Sequence, residues 1–499
     1  MSLWSLFSKS DSTHFQSSDR DFAKRIKILE KNRRDHHRKE DFTGEARILD
    51  ELGILSFQNN QFEVAQAYWK DALKIHQDKN NRVAMAELYT KIANTYRRLA
   101  NLSEAARFYK KSLILDREFN PGEGVLLSLH NLGSVWVEMY EFDNASTCFN
   151  EALATAQEHN LKEWESYTLA RLGITLRQTH RYIDAFKYLD TGLKLAESLG
   201  ILDLMVLNIL GLAALYEDIG EYNQALNCYS DAVLGSQKLK DTVLHAESLT
   251  CMATLKHHIG CLDEARQIVK TVQDLLSINH PSLTRINLDL LQCEIYYSRG
   301  MKDNISSIID RVLVLSESLA ATDGYIRAKI QLALMQVDKN NFSAAYDIVE
   351  SINRKNIKTC SIFVEIERLV ITGRILVGLG NLDGACMIQE QAVSLAEKTR
   401  IPRYLWSTHY NLARVLDLQQ RYQPAKDGYE RAEKVVYQTA LSLDPQMRKI
   451  FLSHKDREIL YQHYILLLFR LGHKEHAARI LARLDSSGLN RRLGHFFEE

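Results

Sequence analysis

The sequence predicts an all-α protein, a right-handed α-solenoid of about ten 40-residue helix pairs ending in a C-terminal capping pair. Three observations carry that expectation. First, Gly53, Ala93, Gly133, Gly173, Ala213, Ala253, Cys293, Ala333, Gly373 and Ala413 are small and recur at a strict period of 40. Second, twelve residues later stand Ala65, Ala105, Ala145, Ala185, Ala225, Ala265, Ile305, Ala345, Ala385 and Ala425, of which only Ile305 is not small. Small residues inside apolar stretches of 3.6-residue period mark where two helices press their backbones together, and a period of 20–50 residues is the signature of stacked repeats. Third, of the five prolines, Pro121, Pro281 and Pro402 fall at joins between repeats and Pro424 in a helix's first turn. Those are the places where a missing N–H costs least.

Taken in order, residues 1–18 read as a disordered leader and 19–42 as a basic N-terminal capping helix. Leu3, Trp4, Leu6 and Phe7 form an apolar tip ahead of that basic segment, which would permit weak membrane-surface contact, although a simple cap is the favoured expectation. Residues 43–440 hold the ten repeats. In the second copy a first helix is expected over Arg82–Leu99 and a second over Glu104–Glu118, each about 25 Å long. Ser103, Asp143, Asn223, Asp263, Asp303, Ser343 and Asp383 share one phase and are expected to cap the second helices. Gly220, Gly260, Gly300 and Gly380 are expected to end the first helices in the left-handed conformation. The period fails once: Ala425 to Ala478 spans 53 residues, so 13 are inserted, giving a connection at 441–456 that contains Pro445. Residues 457–499 read as the capping pair and tail, with helices near Lys455–Leu471 and Lys474–Leu484.

Composition narrows the function classes. Lys+Arg and Asp+Glu are both 63, a balance unlike that of a dedicated nucleic-acid binder. The first nine residues lack the charged and apolar regions of a secretory signal, and the seven cysteines contain no CxxC pair, so a reducing, cytoplasmic setting is expected. The sequons at Asn101, Asn144, Asn304 and Asn341 then carry little weight, and Asn101 and Asn341 read as turn residues. No phosphate loop, dinucleotide fingerprint, zinc-protease motif, nucleophile elbow or calcium loop is present, so no catalysis and no cofactor are expected. His36-His37 and His257-His258 are the only metal temptations. Neighbouring helical residues diverge by about 100°, so surface histidines are expected there instead.

The repeat resembles the tetratricopeptide repeat, carried by Leu132-Gly133, Trp136, Phe142, Ala145 and Phe149, and by Leu172-Gly173, Tyr182, Ala185 and Tyr188. At 40 residues, with stretches such as Lys91–Tyr96 and Asn131–Gly133, it looks like the arrays of Pins/LGN-type polarity adaptors and kinesin light chains. A second resemblance is local. Arg448–Leu452, Leu460-Tyr461, Leu466–Leu468, Leu471-Gly472 and Ala477-Ala478 look like the end of the repeat region in bacterial proteins whose array precedes a caspase-like CHAT protease. No such domain follows before Glu499, so the kinship would imply an array serving a separate effector.

The first resemblance implies that first helices line a concave face. Residues beside the small phase then point inward: Asn94, Arg97, Arg98, Asn131, Arg171 and Arg177 as a basic stretch, Glu217, Asp218, Glu247 and Glu294 as an acidic one, and Arg327, Arg374 and Arg414 beyond. Such banding suits a protein or extended peptide with acidic character at the N-terminal half, or else pairing with neighbours. Chaperone-binding relatives grip a C-terminal carboxylate at places matched here by Asn94, Asn131 and Arg171, but Thr90 and Tyr167 stand where lysines would be. An acidic side chain of an extended peptide is the better expectation there. The leading functional expectation is a non-catalytic scaffold. The alternative is a regulatory or sensor subunit of a separately encoded effector, or a peptide-sensing regulator.

Overall fold

The computed structural model describes residues 19–276, 282–301, 304–355 and 360–484. The proposed leader, the apolar tip, Pro281, Asp303 and the tail beyond 484 lie outside those residues. Among the described residues there are 24 helices and no strand. A first helix, α1 (Asp19–Arg38), precedes ten pairs. These are α2/α3 (Phe42–Gln58, Phe62–Asp78), α4/α5 (Arg82–Arg98, Leu102–Phe119), α6/α7 (Glu123–Glu138, Phe142–Glu158), α8/α9 (Lys162–Gln178, Tyr182–Leu199) and α10/α11 (Leu202–Ile219, Tyr222–Leu239). Then follow α12/α13 (Thr242–Ile259, Leu262–Leu275), α14/α15 (Leu283–Ser298, Ile305–Ser318), α16/α17 (Thr322–Asp338, Phe342–Arg354), α18/α19 (Ile362–Gly378, Leu382–Thr399) and α20/α21 (Pro402–Leu418, Tyr422–Leu441). The insertion forms the short α22 (Pro445–Leu452), and α23/α24 (Lys455–Arg470, Lys474–Leu484) complete the described chain. The fold is an all-α helical solenoid.

The small residues do what their period requires. Every alanine of the second-helix row is 0% exposed, and Ile305 is 1% exposed. Opposite them, the first-helix position faces the residue sixteen places on: a Cβ on Gly53 would lie 2.3 Å from the Trp69 indole nitrogen, and one on Gly133 2.7 Å from the Phe149 ring. Glycine is therefore set by close approach there, not by backbone conformation. Where the second helix offers a smaller side chain, as at Val269, Ile309 and Val349, the partner position holds Ala253, Cys293 or Ala333.

The ends of the first helices repeat every 40 residues. Asn60, Ala100, Tyr140, His180, Gly220, Gly260, Gly300, Asn340, Gly380 and Gln420 all have positive φ, between 58° at Ala100 and 110° at Gly260. The four glycines behave as the sequence predicts. The other six adopt the left-handed turn without being glycine, so the repeat's geometry overrides residue preference. The capping expectation needs correction. The N-caps lie two residues before the predicted phase: the Asn101 side chain accepts from the Glu104 N–H at 3.3 Å, and Asn381 from the Gly384 N–H at 2.9 Å. Ser103, Asp143, Asn223, Asp263, Ser343 and Asp383 stand instead inside the first turn, because each helix begins at the preceding apolar residue or aromatic. The acidic ones still favour the positive end of the helix dipole. Asn341 holds an N-cap position but makes no side-chain cap bond.

The chain divides into two compact units, residues 1–208 and 209–499, with α10 running through the division. In the first, one apolar cluster runs from Leu49 through Trp69, Tyr109 and Trp164 to Leu207. In the second, successive smaller clusters follow the repeats, but one cluster joins Tyr222, Tyr229, Leu255 and Ile259 to Ala413, Tyr429, Phe451 and Tyr464. Helices about 200 residues apart in sequence thus share a core. No helix of the described residues is long and apolar enough to cross a membrane.

Candidate functional site

The first helices of the first unit carry the predicted basic stretch. Arg97 is half-buried, and its Nε donates to Glu138 at 2.8 Å, one repeat away. One repeat earlier, the Lys91 ammonium donates to Asp50 at 2.7 Å, and the Trp69 indole donates to the same carboxylate at 2.9 Å. Arg171 reaches Ser134 Oγ at 3.1 Å and lies over the Phe149 ring at 5.4 Å. Arg98 and Arg177 are also half-buried on these helices. Asn94 accepts a hydrogen bond from the Tyr109 hydroxyl, while Asn131 is only 8% exposed. The two lysine places of a carboxylate clamp are committed to packing: Thr90 bonds Ser112 at 2.9 Å, and Tyr167 packs 4.8 Å from the His130 ring. His130 is fully buried between Trp164, Tyr167 and Phe149, bonds Thr168 at 2.8 Å, and is held well below the usual histidine range by burial and then by Arg171.

In the second unit, residues of the predicted bands pair with neighbours outside the bands. Glu217 accepts from the Tyr229 hydroxyl at 2.9 Å and lies 3.2 Å from His258 Nδ1. Arg327 pairs with Glu367 at 3.0 and 3.2 Å, and the Tyr404 hydroxyl donates to Glu367 at 3.0 Å. Burial works against the Glu367 carboxylate, yet Arg327 and Arg403 hold its pKa below the usual range. Arg327 and Glu367 keep 32% and 29% of their side-chain surface, so this face is wet, not dry. Asp218 is half-buried, Glu247 and Arg374 are exposed, and Arg414 shares Asp417 with Arg470.

Sequence reasoning missed Asp50, Lys91, Glu138, Glu367, Arg403 and Arg457. A signal existed for most of these: partners in Lys91–Asp50, Arg97–Glu138, His258–Glu217 and Arg327–Glu367 stand 41, 41, 41 and 40 residues apart, within one residue of the repeat length.

The histidine pairs take different surroundings. His36 and His37 each bond a separate carboxylate, Asp41 and Glu45, at 2.8 Å. His257, His258 and Glu294 gather so that one ligand atom from each lies within 4.8 Å of the others. His257 Nδ1 lies 3.5 Å from Glu294 Oε2. Arg403 Nη1 sits 2.7 Å from His258 Nε2 and 3.1 Å from its Nδ1, so a cation already lies over the ring. None of the predicted groove residues brings together a nucleophile, base and acid.

Stacked antiparallel helix pairs with small-residue interfaces and charged first-helix faces define a helical-repeat array. A tetratricopeptide-repeat family model matches residues 86–119, within α4 and α5. No curated protein matches the sequence. Among solved structures, a tetratricopeptide repeat protein from Parabacteroides merdae is similar at 19% identity, covering 55% of this chain and 97% of its own, with a TM-score of 0.40. BtubC (BKLC) from P. vanneervenii matches at 19% identity over 45% of this chain and 93% of its own, TM-score 0.40. Yeast Tom70 matches at 13% identity over 85% and 96%, TM-score 0.38.

Proposed function

We propose that this protein is a non-catalytic interaction array whose first unit holds an extended, acidic peptide or protein segment against α4, α6 and α8. The observation that carries the reading is the charge at that phase. Lys91, Arg97, Arg98, Arg171 and Arg177 share the face with Asp50 and Glu138, so positive charge is in excess, and guanidinium groups suit carboxylates. In the second unit the charged first-helix residues are matched by local partners, as in Arg327–Glu367, Glu217–His258 and Arg414–Asp417. Nucleic acid is not the expected partner, and no cofactor is required.

The test is capture of partners by the full chain carrying Arg97→Glu with Arg171→Glu, compared with Arg374→Glu with Arg414→Glu, which changes net charge equally in the other unit. The first pair should abolish retention of a partner that the wild type keeps, with helicity unchanged, and retention should fall as salt rises. Equal losses from both pairs would reduce the effect to non-specific attraction. No loss from the first pair would overturn the assignment.

A further inference from the structure

At the start of the array a cavity of about 430 Å³ opens between α2, α3 and α4. Small residues make the room: Gly44 and Ala46 on α2, Ala72 on α3 and Ala84 on α4 all line it. The two first helices remain bridged there, because Lys91 on α4 donates to Asp50 on α2 at 2.7 Å and both residues line the same cavity. The volume falls within the range of small-molecule sites, about 300–1,000 Å³.

Most of the polar lining is already committed. Asp41 accepts from the Gly44 N–H at 2.9 Å and meets His36 at 2.8 Å, and Thr43 accepts from the Lys79 ammonium at 2.6 Å. Asp50 takes Lys91 and the Trp69 indole. Three groups are left. Arg47 on α2 and Glu87 on α4 line the cavity, yet neither side chain makes an ion pair or hydrogen bond among the described residues. His76 on α3 lines it as well, and its Nδ1 is buried without a partner. Burial holds that ring below the usual histidine range, so at neutral pH it adds no charge. What remains is one cation, one anion and one neutral hydrogen-bonding group, each on a different helix.

The repeat supplies an internal comparison. Only the first and eighth copies place arginine at this phase with glutamate one repeat on, as Arg47–Glu87 and Arg327–Glu367. In the second unit that pair is closed at 3.0 and 3.2 Å, and the Tyr404 hydroxyl orients Glu367 by donating to it at 3.0 Å. The residue at the phase of Tyr404 in the first unit is Gly124, which has no hydroxyl to offer Glu87. The first copy therefore keeps both charges unanswered beside an open volume. We propose that this cavity binds a small zwitterion, a free α-amino acid or dipeptide, with its carboxylate on Arg47 and its ammonium on Glu87. A lone anion would leave Glu87 unanswered and a lone cation would leave Arg47 so, whereas a zwitterion gives each a charge-assisted hydrogen bond. His76 Nδ1 supplies a further neutral contact. The site shares only the Asp50–Lys91 pair with the face assigned to the extended partner and does not rest on that reading.

The experiment is isothermal titration of the full chain at pH 7.5 and low salt with the twenty common amino acids and dialanine. At least one should bind saturably with a Kd tighter than about 1 mM, and at least tenfold tighter than both its N-acetyl derivative and its C-terminal amide. Arg47→Met and Glu87→Gln, both at exposed positions, should each weaken that binding at least tenfold with helicity unchanged. Saturation should also slow hydrogen exchange in peptides covering 41–50 and 84–91. Absence of saturable binding across the panel overturns the site. So does equal binding of a blocked derivative, or binding undiminished in both variants. Should a variant fail to fold, the wild-type exchange footprint decides the same question, and slowing confined to other helices overturns the assignment.

Discussion

Alanine at the helix interface is a volume constraint. Ala145 and Ala185 are 0% exposed, each beneath the partner helix of its pair. Replacing either with Leu should cost about 1–3 kcal/mol, read as a lower midpoint in urea unfolding, because three extra carbons must displace backbone or neighbours. Unchanged midpoints at both sites would mean that the repeat phase is misassigned. Asp116 offers a different residue-scale test. The residue is 7% exposed, and burial raises its carboxyl pKa even though Ser128 and Ser112 donate to it at 2.6 and 3.1 Å. A carboxyl raised in the fold contributes stability only while protonated, and loses it as pH rises through the folded value. Asp116→Asn keeps the acceptor without the charge. It should melt no lower than wild type at pH 7, with any advantage vanishing near pH 3; a drop of several degrees at pH 7 would show that the ionised form is needed.

At the scale of the element, the period and the packing rows were legible from sequence because each repeat enforces the same two close approaches. The turn glycines were legible for the same reason, since Gly220, Gly260, Gly300 and Gly380 advertise a left-handed turn. Ala100, Tyr140, His180 and Gln420 do not, and only the 40-residue spacing of first-helix ends reveals them. Ala100 is exposed at φ 58°, so Ala100→Gly should stabilise the α4–α5 turn by about 1 kcal/mol in chemical denaturation. A loss of stability would contradict the left-handed turn. The caps were misplaced by two residues because Ser or Asp in a first turn has the same composition as an N-cap, and only the start of the apolar face separates them.

At the scale of the whole molecule, charges were legible as types but not as pairs. Arg327 and Glu367 are one repeat apart and could have been matched by period, whereas Arg403 and His258 are 145 residues apart and meet only through the curvature of the second unit. The same holds for Ser442 and Gly220, 222 residues apart. No local pattern encodes such a seam. α23 and α24 bury Leu460, Tyr461, Tyr464, Ile465 and Ile480 in the core that joins those distant helices. Removing residues 457–499 should therefore expose that core and cause aggregation, and a soluble truncation with unchanged melting would show the segment to be an appendage.

On the proposed function, the two units use the same helix face differently, one for a partner and one for itself. The most direct measurement is a hydrogen-exchange footprint of a captured partner on the full chain at neutral pH. Protection is expected across 91–98, 131–138 and 171–178, on α4, α6 and α8, with exchange in the second unit unchanged. A footprint confined to residues 209–484 would contradict it.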